Sequence, residues 1–193
     1  MLNQVQYLPE LESCSIAIIG LGYVGLPLAI EIAKSRKNVV KNGAEENVIG
    51  FDINFERIKY LKRKFNIEND NKNKSDIHFT NDQDILSKAD IYIIAVPTPI
   101  DNAKRPDFNA LENACITVAN AIKSRKIIKA KNKKNSDPII IFESTVYPGA
   151  TEEVCIPILE EISNLVGNQN GGFFYGYSPE RINPGDNDHQ LTK

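Results

Sequence analysis

The sequence predicts a doubly wound α/β fold, Rossmann-like, with a parallel sheet in the strand order 3-2-1-4-5-6 and flanking helices. Three observations lead to this prediction. Short apolar runs alternate with helix-like segments along the 193 residues. The run at residues 91–96 is continuously apolar, as in a parallel strand that is covered on both faces. The run at residues 15–19 leads into a Gly-x-Gly-x-x-Gly turn and then a further apolar segment.

The glycine turn, GLGYVG at residues 20–25, stands between a predicted strand and a predicted helix. This is the order of a dinucleotide-binding βαβ unit. Gly20 permits the tight turn, Gly22 lets a pyrophosphate approach the backbone, and Gly25 lets the helix pack close to the strand. The free N–H groups and the positive end of the helix would face the phosphates. The alternative is a glycine-rich turn that binds no ligand.

Asp52 directly follows the second predicted strand, residues 48–51. A carboxylate at this point can accept hydrogen bonds from both ribose hydroxyls of adenosine and would repel a 2′-phosphate, so it favours NAD over NADP. Asp52 lies 30 residues after Gly22. The usual gap is roughly 20 residues, and we attribute the excess to residues 36–47, which are predicted to form an exposed extended connection. The alternative is a surface aspartate at a strand end.

The remaining elements follow in chain order. The predicted helices span residues 24–35, 55–65, 82–88, 108–128 and 151–165. The remaining predicted strands span residues 77–79, 138–142 and 173–177. Polar connections are predicted at residues 66–76, 129–137 and 167–172. Polar clusters follow most of the strands, and we expect them to converge on the edge of the sheet where a dinucleotide and its substrate would lie. Residues 1–13 are predicted to be a polar leader and residues 14–193 a dinucleotide-binding domain.

Composition argues against several classes of function. The 23 basic and 25 acidic residues give a net charge of −2, which offers no electrostatic case for binding nucleic acid or an anionic membrane. No apolar run approaches the length of a membrane span, and the N-terminus lacks the pattern of a secretory signal. The three cysteines have no metal-ligand spacing, so we predict no metal site and interpret Cys14, Cys115 and Cys155 as reduced core residues of a cytosolic protein.

Five blocks of the sequence resemble the nucleotide-sugar dehydrogenases, the UDP-glucose/GDP-mannose 6-dehydrogenases. They are GLGYVGLPLA at 20–29, FDIN with Arg57 at 51–57, VPTPID at 96–101, ESTVYPGATEEVCIPIL at 143–159 and GYSPERINPGDNDHQLT at 176–192. The resemblance runs in register over essentially the whole chain. The segment YSPERINPGD is similar to the corresponding segment of the enzymes that oxidise UDP-N-acetylglucosamine or UDP-N-acetylgalactosamine in capsule or O-antigen synthesis.

The resemblance implies a reaction in which the C6 hydroxyl of the sugar is oxidised twice, each time passing a hydride to NAD. A cysteine first traps the aldehyde as a thiohemiacetal, and the second transfer gives a thioester that water hydrolyses to the uronic acid. The motif of that cysteine, G-G-x-C-[IF]-x-x-D, does not occur in these residues. We therefore expect an NAD-binding domain that is inactive alone, from a full-length enzyme that forms a homodimer. The alternative is a stand-alone NAD-binding module without catalysis.

The resemblance also assigns roles to residues by position. Thr145 matches a threonine that helps to position a catalytic water, and Glu180 matches a glutamate with an acid/base role. The alternative for Glu180 is an exposed loop carboxylate paired with Arg181. The implied contacts with NAD are Gly20, Leu21, Gly22, Tyr23, Val24, Gly25, Asp52, Arg57, Val96, Pro97, Thr98, Ser144, Thr145 and Val146. The implied contacts with the UDP-sugar are Glu180, Arg181, Ile182, Asn183 and Pro184.

Three of these assignments have limits. Arg57 is nearly as well explained as a solvated helix arginine, and Thr98 as part of a plain loop after a strand. Pro184 stands where UDP-glucose enzymes have a second glutamate, so the role of that glutamate is not carried over to this chain.

Overall fold

The computed structural model describes residues 8–10, 13–37, 48–65, 77–100, 105–132 and 136–178. In these residues the chain forms a six-stranded sheet in the order β3-β2-β1-β4-β5-β6, and every neighbouring pair is parallel. The predicted fold class and strand order are therefore confirmed. The strands are β1 (Ile16–Ile19), β2 (Val48–Phe51), β3 (Ile77–Thr80), β4 (Ile91–Ile94), β5 (Ile139–Phe142) and β6 (Phe174–Tyr177).

Helices connect these strands. The α-helices of the described residues are α1 (Gly25–Lys37), α2 (Phe55–Phe65), α3 (Asn109–Asn132) and α4 (Ile156–Ser163). A 3₁₀-helix, Gln83–Lys88, precedes β4 and is capped by Asp82, whose carboxylate accepts from the N–H of Asp84 at 3.0 Å. A π-helix, Thr151–Cys155, leads directly into α4. Such wide turns are rare and often lie beside functional sites, and this one follows the loop after β5.

The core lies on both faces of the sheet, because side chains that alternate along each strand point to opposite faces. Ala17 and Ile19 belong to one apolar cluster, which includes residues of α3 and α4. Ile16 and Ile18 belong to a second cluster, which includes residues of α1 and α2. Burial on both faces explains why the central strands read as continuous apolar runs.

The prediction was wrong at several element boundaries. Helix α1 continues through the start of the predicted exposed connection, and Arg36 is buried because its guanidinium donates to the backbone carbonyl of Cys14. Helix α3 continues to Asn132, because the lysines and alanine after residue 128 are good helix formers. Strand β4 ends two residues early, at Ile94, and the predicted last helix ends at Ser163, before Asn164 in the left-handed conformation. The predicted loop at 66–76 lies outside the described residues.

The three cysteines are all buried, as predicted for core residues. Hydrogen bonding with Cys155 and burial raise the pKa of the Cys115 thiol, which therefore stays protonated. Within the part of the chain that the structure describes, no group of three or more His, Cys, Asp or Glu side chains is placed to hold a metal ion. The same residues include no helix of the length and apolar character that a membrane span requires.

The amino ends of the central strands are joined by a buried ion pair. Arg125 of α3 donates to Asp90, directly before β4, over 2.7 Å between Nη2 and Oδ1. The other carboxylate oxygen of Asp90 accepts from the N–H of Ser15, directly before β1, at 2.9 Å. Arg125 also donates to the carbonyl of Ser136, shortly before β5, at 2.8 Å. This network fixes α3 to the edge of the sheet that faces away from the predicted site.

Candidate functional site

The glycine loop between β1 and α1 is a tight turn in which two of the three glycines have no room for a side chain. Gly20 has a φ of 92°, and a Cβ there would lie 2.9 Å from the carbonyl oxygen of Ala95. A Cβ on Gly25 would lie 1.9 Å from the carbonyl oxygen of Gly20. A Cβ on Gly22 would meet no atom within 4 Å. Two of the glycines are therefore required by the turn itself, whereas the third borders open space that a ligand can enter.

Leu21, between the first two glycines, is held through its backbone on both sides. Its N–H donates to Oδ2 of Asp52 at 3.0 Å. Its carbonyl accepts from Nε of Arg57 at 3.2 Å and from Nη2 of the same side chain at 2.9 Å. Its own side chain is fully buried. Asp52 and Arg57, which follow β2, thus fix the glycine loop that follows β1.

The carboxylate of Asp52 is oriented by backbone N–H groups. Besides the bond from Leu21, its Oδ1 accepts from the N–H of Asn54 at 2.9 Å. Each carboxylate oxygen can accept two hydrogen bonds, so one acceptor position per oxygen remains for a ligand. The half-buried carboxylate at the end of β2 therefore fits the two hydroxyls of an adenosine ribose.

A cleft of ≈ 310 Å³ opens beside the glycine loop, at the carboxyl ends of the central strands. Its walls come from three segments: the glycine loop, the residues after β4 and the residues after β5. This is the position at which open α/β sheets bind their ligands. The cleft is lined by Gly22, Tyr23, Val24, Ala95, Val96, Pro97, Thr98, Pro99, Glu143, Ser144 and Thr145.

The two loops on the far side of the cleft are linked by side-chain hydrogen bonds. The buried Ser144 hydroxyl donates to the carbonyl of Val96 at 2.7 Å. The Thr98 hydroxyl donates to the carbonyl of Thr145. Both hydroxyls are directed at backbone of the neighbouring loop, so Ser144 and Thr98 build the wall of the cleft. The exposed Thr145 side chain adds a hydroxyl that can both donate and accept at its surface.

The structure brings together most of the predicted cofactor contacts. Gly22, Tyr23, Val24, Val96, Pro97, Thr98, Ser144 and Thr145 line the cleft. Leu21, Asp52 and Arg57 form a hydrogen-bonded group beside it, while Gly20 and Gly25 shape the turn. Val146 packs against the core instead of lining the cleft. The predicted substrate contacts Glu180, Arg181, Ile182, Asn183 and Pro184 lie outside the described residues.

Three lining residues were not predicted from the sequence: Ala95, Pro99 and Glu143. Glu143 follows β5 directly, as Asp52 follows β2. The rule that ligands lie at the carboxyl ends of strands, which identified Asp52, would also have identified Glu143. Ala95 approaches the glycine loop through its backbone, which no residue pattern reveals.

The comparison with protein families identifies the family to which this domain belongs. The model of the UDP-glucose/GDP-mannose dehydrogenase family, NAD binding domain, matches residues 14–193. The chain belongs to this family. NAD is accordingly the cofactor of the domain, and the resemblance stated from the five sequence blocks is confirmed. The matched residues include the glycine loop, Asp52 and the residues that line the cleft.

Relatives within the family share much of the sequence. Protein CapL of Staphylococcus aureus is 47% identical over 91% of this chain. The UDP-N-acetyl-D-glucosamine 6-dehydrogenase of Salmonella typhi is 42% identical over 94% of this chain. The aligned residues make up 37% and 38% of those two proteins, so the chain spans less than two fifths of the relatives that it matches.

Solved structures agree with the fold. A UDP-D-ManNAc dehydrogenase from Pyrococcus horikoshii superposes with a TM-score of 0.65 at 30% identity, over 89% of this chain and 37% of its own. A GDP-mannose dehydrogenase from Pseudomonas aeruginosa gives a TM-score of 0.66 at 24% identity, over 87% of this chain and 36% of its own. At that lower identity the second similarity supports the fold alone.

Proposed function

We propose that this chain is the NAD-binding part of an enzyme that oxidises the C6 hydroxyl of a UDP-N-acetylhexosamine to the uronate, for the synthesis of a capsule or O-antigen polysaccharide. The observation that carries the proposal is that the glycine loop, the oriented Asp52 carboxylate and the cleft lie together on one edge of the sheet. The choice of sugar is supported by the 42% identity to the Salmonella typhi enzyme, whose name specifies UDP-N-acetyl-D-glucosamine.

The parts of the site suit different parts of the cofactor. The open space at Gly22 suits the pyrophosphate, and the Asp52 carboxylate suits the adenosine ribose. The cleft walls after β4 and β5 then suit the nicotinamide end, with Val96, Thr98 and Ser144 forming the surface. When bound, NAD supplies the hydride acceptor for the oxidation.

The chemistry on the sugar is assigned to residues next to this surface. We assign Thr145 to hold the catalytic water, because its exposed hydroxyl lies at the cleft. We assign Glu180 to acid/base work and residues 180–184 to substrate contact, on the family resemblance. Ser178, which directly follows β6, lies at the carboxyl edge of the sheet, where its N–H donates to the carbonyl of Phe142 at 2.9 Å. A carboxylate beside the nicotinamide and the sugar hydroxyl suits proton transfer.

The covalent steps need a thiolate that these residues do not offer. Cys14, Cys115 and Cys155 are the three cysteines of the chain, and all are buried and absent from the cleft lining. We therefore propose that the 193 residues bind NAD without producing the uronate, and that the nucleophile comes from elsewhere in a homodimeric enzyme of the cytoplasm. If the chain instead serves as an NAD-binding module, no source of nucleophile would restore turnover.

Calorimetry with NAD and NADP tests the cofactor site. We expect NADP to bind at least about tenfold more weakly than NAD, because the Asp52 carboxylate repels a 2′-phosphate. Asp52→Asn should weaken NAD binding by about tenfold and reduce the discrimination, because the amide nitrogen that replaces one carboxylate oxygen cannot accept from a backbone N–H and the carboxamide carries no charge. Glu56→Gln, which removes an exposed carboxylate of nearby α2, is the matched control. Equal affinity for NAD and NADP in the unmodified chain would refute the assignment.

A turnover assay tests the rest of the proposal. The chain, NAD and either UDP-N-acetylglucosamine or UDP-N-acetylgalactosamine should yield neither NADH nor uronate. An enzyme comprising this domain and the remaining family segments should yield two NADH per uronate. Uronate from the 193 residues alone, or no uronate from the longer enzyme with either sugar, would contradict the proposal.

A further inference from the structure

We propose that Arg57 is a positioning residue, which sets the glycine loop for the pyrophosphate of the cofactor by holding the carbonyl of Leu21. The assignment rests on the proposed NAD binding and deepens it. It differs from the role that the family resemblance implied for Arg57, a direct contact with NAD. In this inference the effect of the arginine on the cofactor passes through the backbone of the loop.

The first support is the pair of hydrogen bonds that the Arg57 guanidinium donates. Nε and Nη2 of Arg57 both donate to the same oxygen, the carbonyl of Leu21, at 3.2 and 2.9 Å. Two N–H groups on one edge of a rigid planar fork can reach one acceptor in this way, whereas the ammonium of a lysine is a compact point charge on a flexible stem. The edge of Arg57 that carries these donors is therefore occupied by the protein itself.

The second support is the contact of the Arg57 guanidinium with an aromatic ring. Its central carbon lies 5.9 Å from the ring centroid of Tyr60, one turn further along α2. This is within the range of a cation–π interaction. Arg57 is half-buried, whereas Arg63, a later arginine of the same helix, is exposed. The contacts with Leu21 and Tyr60 together give Arg57 a defined orientation that a freely solvated side chain would lack.

The third support is what the Leu21 carbonyl controls. Leu21 is fixed at three points: its buried side chain, its N–H on Asp52 and its carbonyl on Arg57. The peptide that contains this carbonyl also contains the N–H of Gly22, the glycine that borders open space at the cleft. Because the peptide is planar, fixing the carbonyl fixes the direction of that N–H. Backbone N–H groups of such loops are what binds a dinucleotide pyrophosphate.

The test compares ligands that contain the pyrophosphate with one that does not. Binding of NAD, ADP and adenosine is measured by calorimetry or ligand-observed NMR for the unmodified chain, Arg57→Ala, Arg57→Lys and the control Arg63→Ala. Binding of NAD to the unmodified chain first establishes the proposed cofactor binding independently of Arg57. Thermal melting of each variant reports whether it is folded, and the conservative lysine variant keeps the charge if the alanine variant does not fold.

We expect Arg57→Ala and Arg57→Lys each to weaken NAD and ADP by about tenfold, because both lose the paired hydrogen bonds to Leu21. The affinity of both Arg57 variants for adenosine should change by less than about twofold. The affinity of Arg63→Ala for each of the three ligands should also change by less than about twofold. An Arg57→Lys variant that binds NAD like the unmodified chain would show that only the charge matters and overturn the proposal. Equal weakening of adenosine and NAD by Arg57→Ala would show a direct adenosine contact and also overturn it.

Discussion

The two edges of the sheet each use an aspartate beside a central strand, but they use its charge differently. Asp90, before β4, is buried and paired with the guanidinium of Arg125. Asp52, after β2, accepts from the backbone N–H groups of Leu21 and Asn54. None of the ion pairs found among the described residues includes Asp52. A buried cation neutralises the first carboxylate and makes it structural, whereas the second is oriented without being neutralised and can serve a ligand.

The largest effect should come from breaking the ion pair at the amino edge. Arg125→Ala leaves the Asp90 carboxylate buried without its cation, and we expect a loss of ~3–5 kcal/mol in the free energy of unfolding. Urea denaturation measures this loss. The Kd for NAD, measured where the variant is folded, should stay within about twofold, because the pair lies at the opposite edge from the cleft.

Lys123→Ala, an exposed change on the same helix, is the control and should alter the free energy of unfolding by less than about 0.5 kcal/mol. A folded Arg125→Ala variant that loses NAD affinity would show that the two edges are not independent.

A smaller effect should separate two glycines of the loop. Gly25→Ala places a methyl group against the carbonyl of Gly20, so we expect it to cost ~1–3 kcal/mol in unfolding and to weaken NAD binding. Gly22→Ala meets open space and should leave the melting temperature unchanged while it weakens NAD binding by about tenfold. Melting curves and calorimetry on both variants provide the comparison. If Gly22→Ala bound NAD normally, the open space beside that glycine would not be where the cofactor binds.

The smallest effect should come from the link between the two cleft loops. Ser144→Ala leaves the carbonyl of Val96 without the hydroxyl that donates to it at 2.7 Å, and should cost ~1 kcal/mol in unfolding. NAD affinity should fall by a factor of about three, since the wall of the cleft loosens. Ser35→Ala, at an exposed position of α1, is the matched serine control. A larger loss of stability than that of Gly25→Ala would reverse the expected order.

The strand order and the position of Asp52 could be predicted because both follow from local patterns. Apolar runs of strand length locate the strands, and the carboxyl ends of parallel strands share one edge. The same rule placed the polar residues after β4 and β5 at this edge, and the family resemblance assigned them one by one; the structure brings most of those residues together.

The contacts that complete the site could not be predicted, because they join residues that are distant in the chain. Arg57 lies 36 residues from Leu21, and its donors meet a backbone carbonyl, which is common to every residue type and leaves no sequence signal. The buried Arg36 illustrates the same limit: a charged residue beside a polar stretch is normally solvated, and only the fold places the Cys14 carbonyl within its reach.

The bonds from Ser144 to Val96 and from Thr98 to Thr145 bear on the thermodynamics of cofactor binding. They restrict two loops when the domain folds, so the conformational entropy of these residues is lost before any cofactor arrives. Binding then carries little further ordering of the protein on this side of the cleft, which is the advantage of preorganisation. If the nicotinamide lies against this wall, as proposed, the entropic penalty of association falls instead on the rotatable bonds of that half of the cofactor.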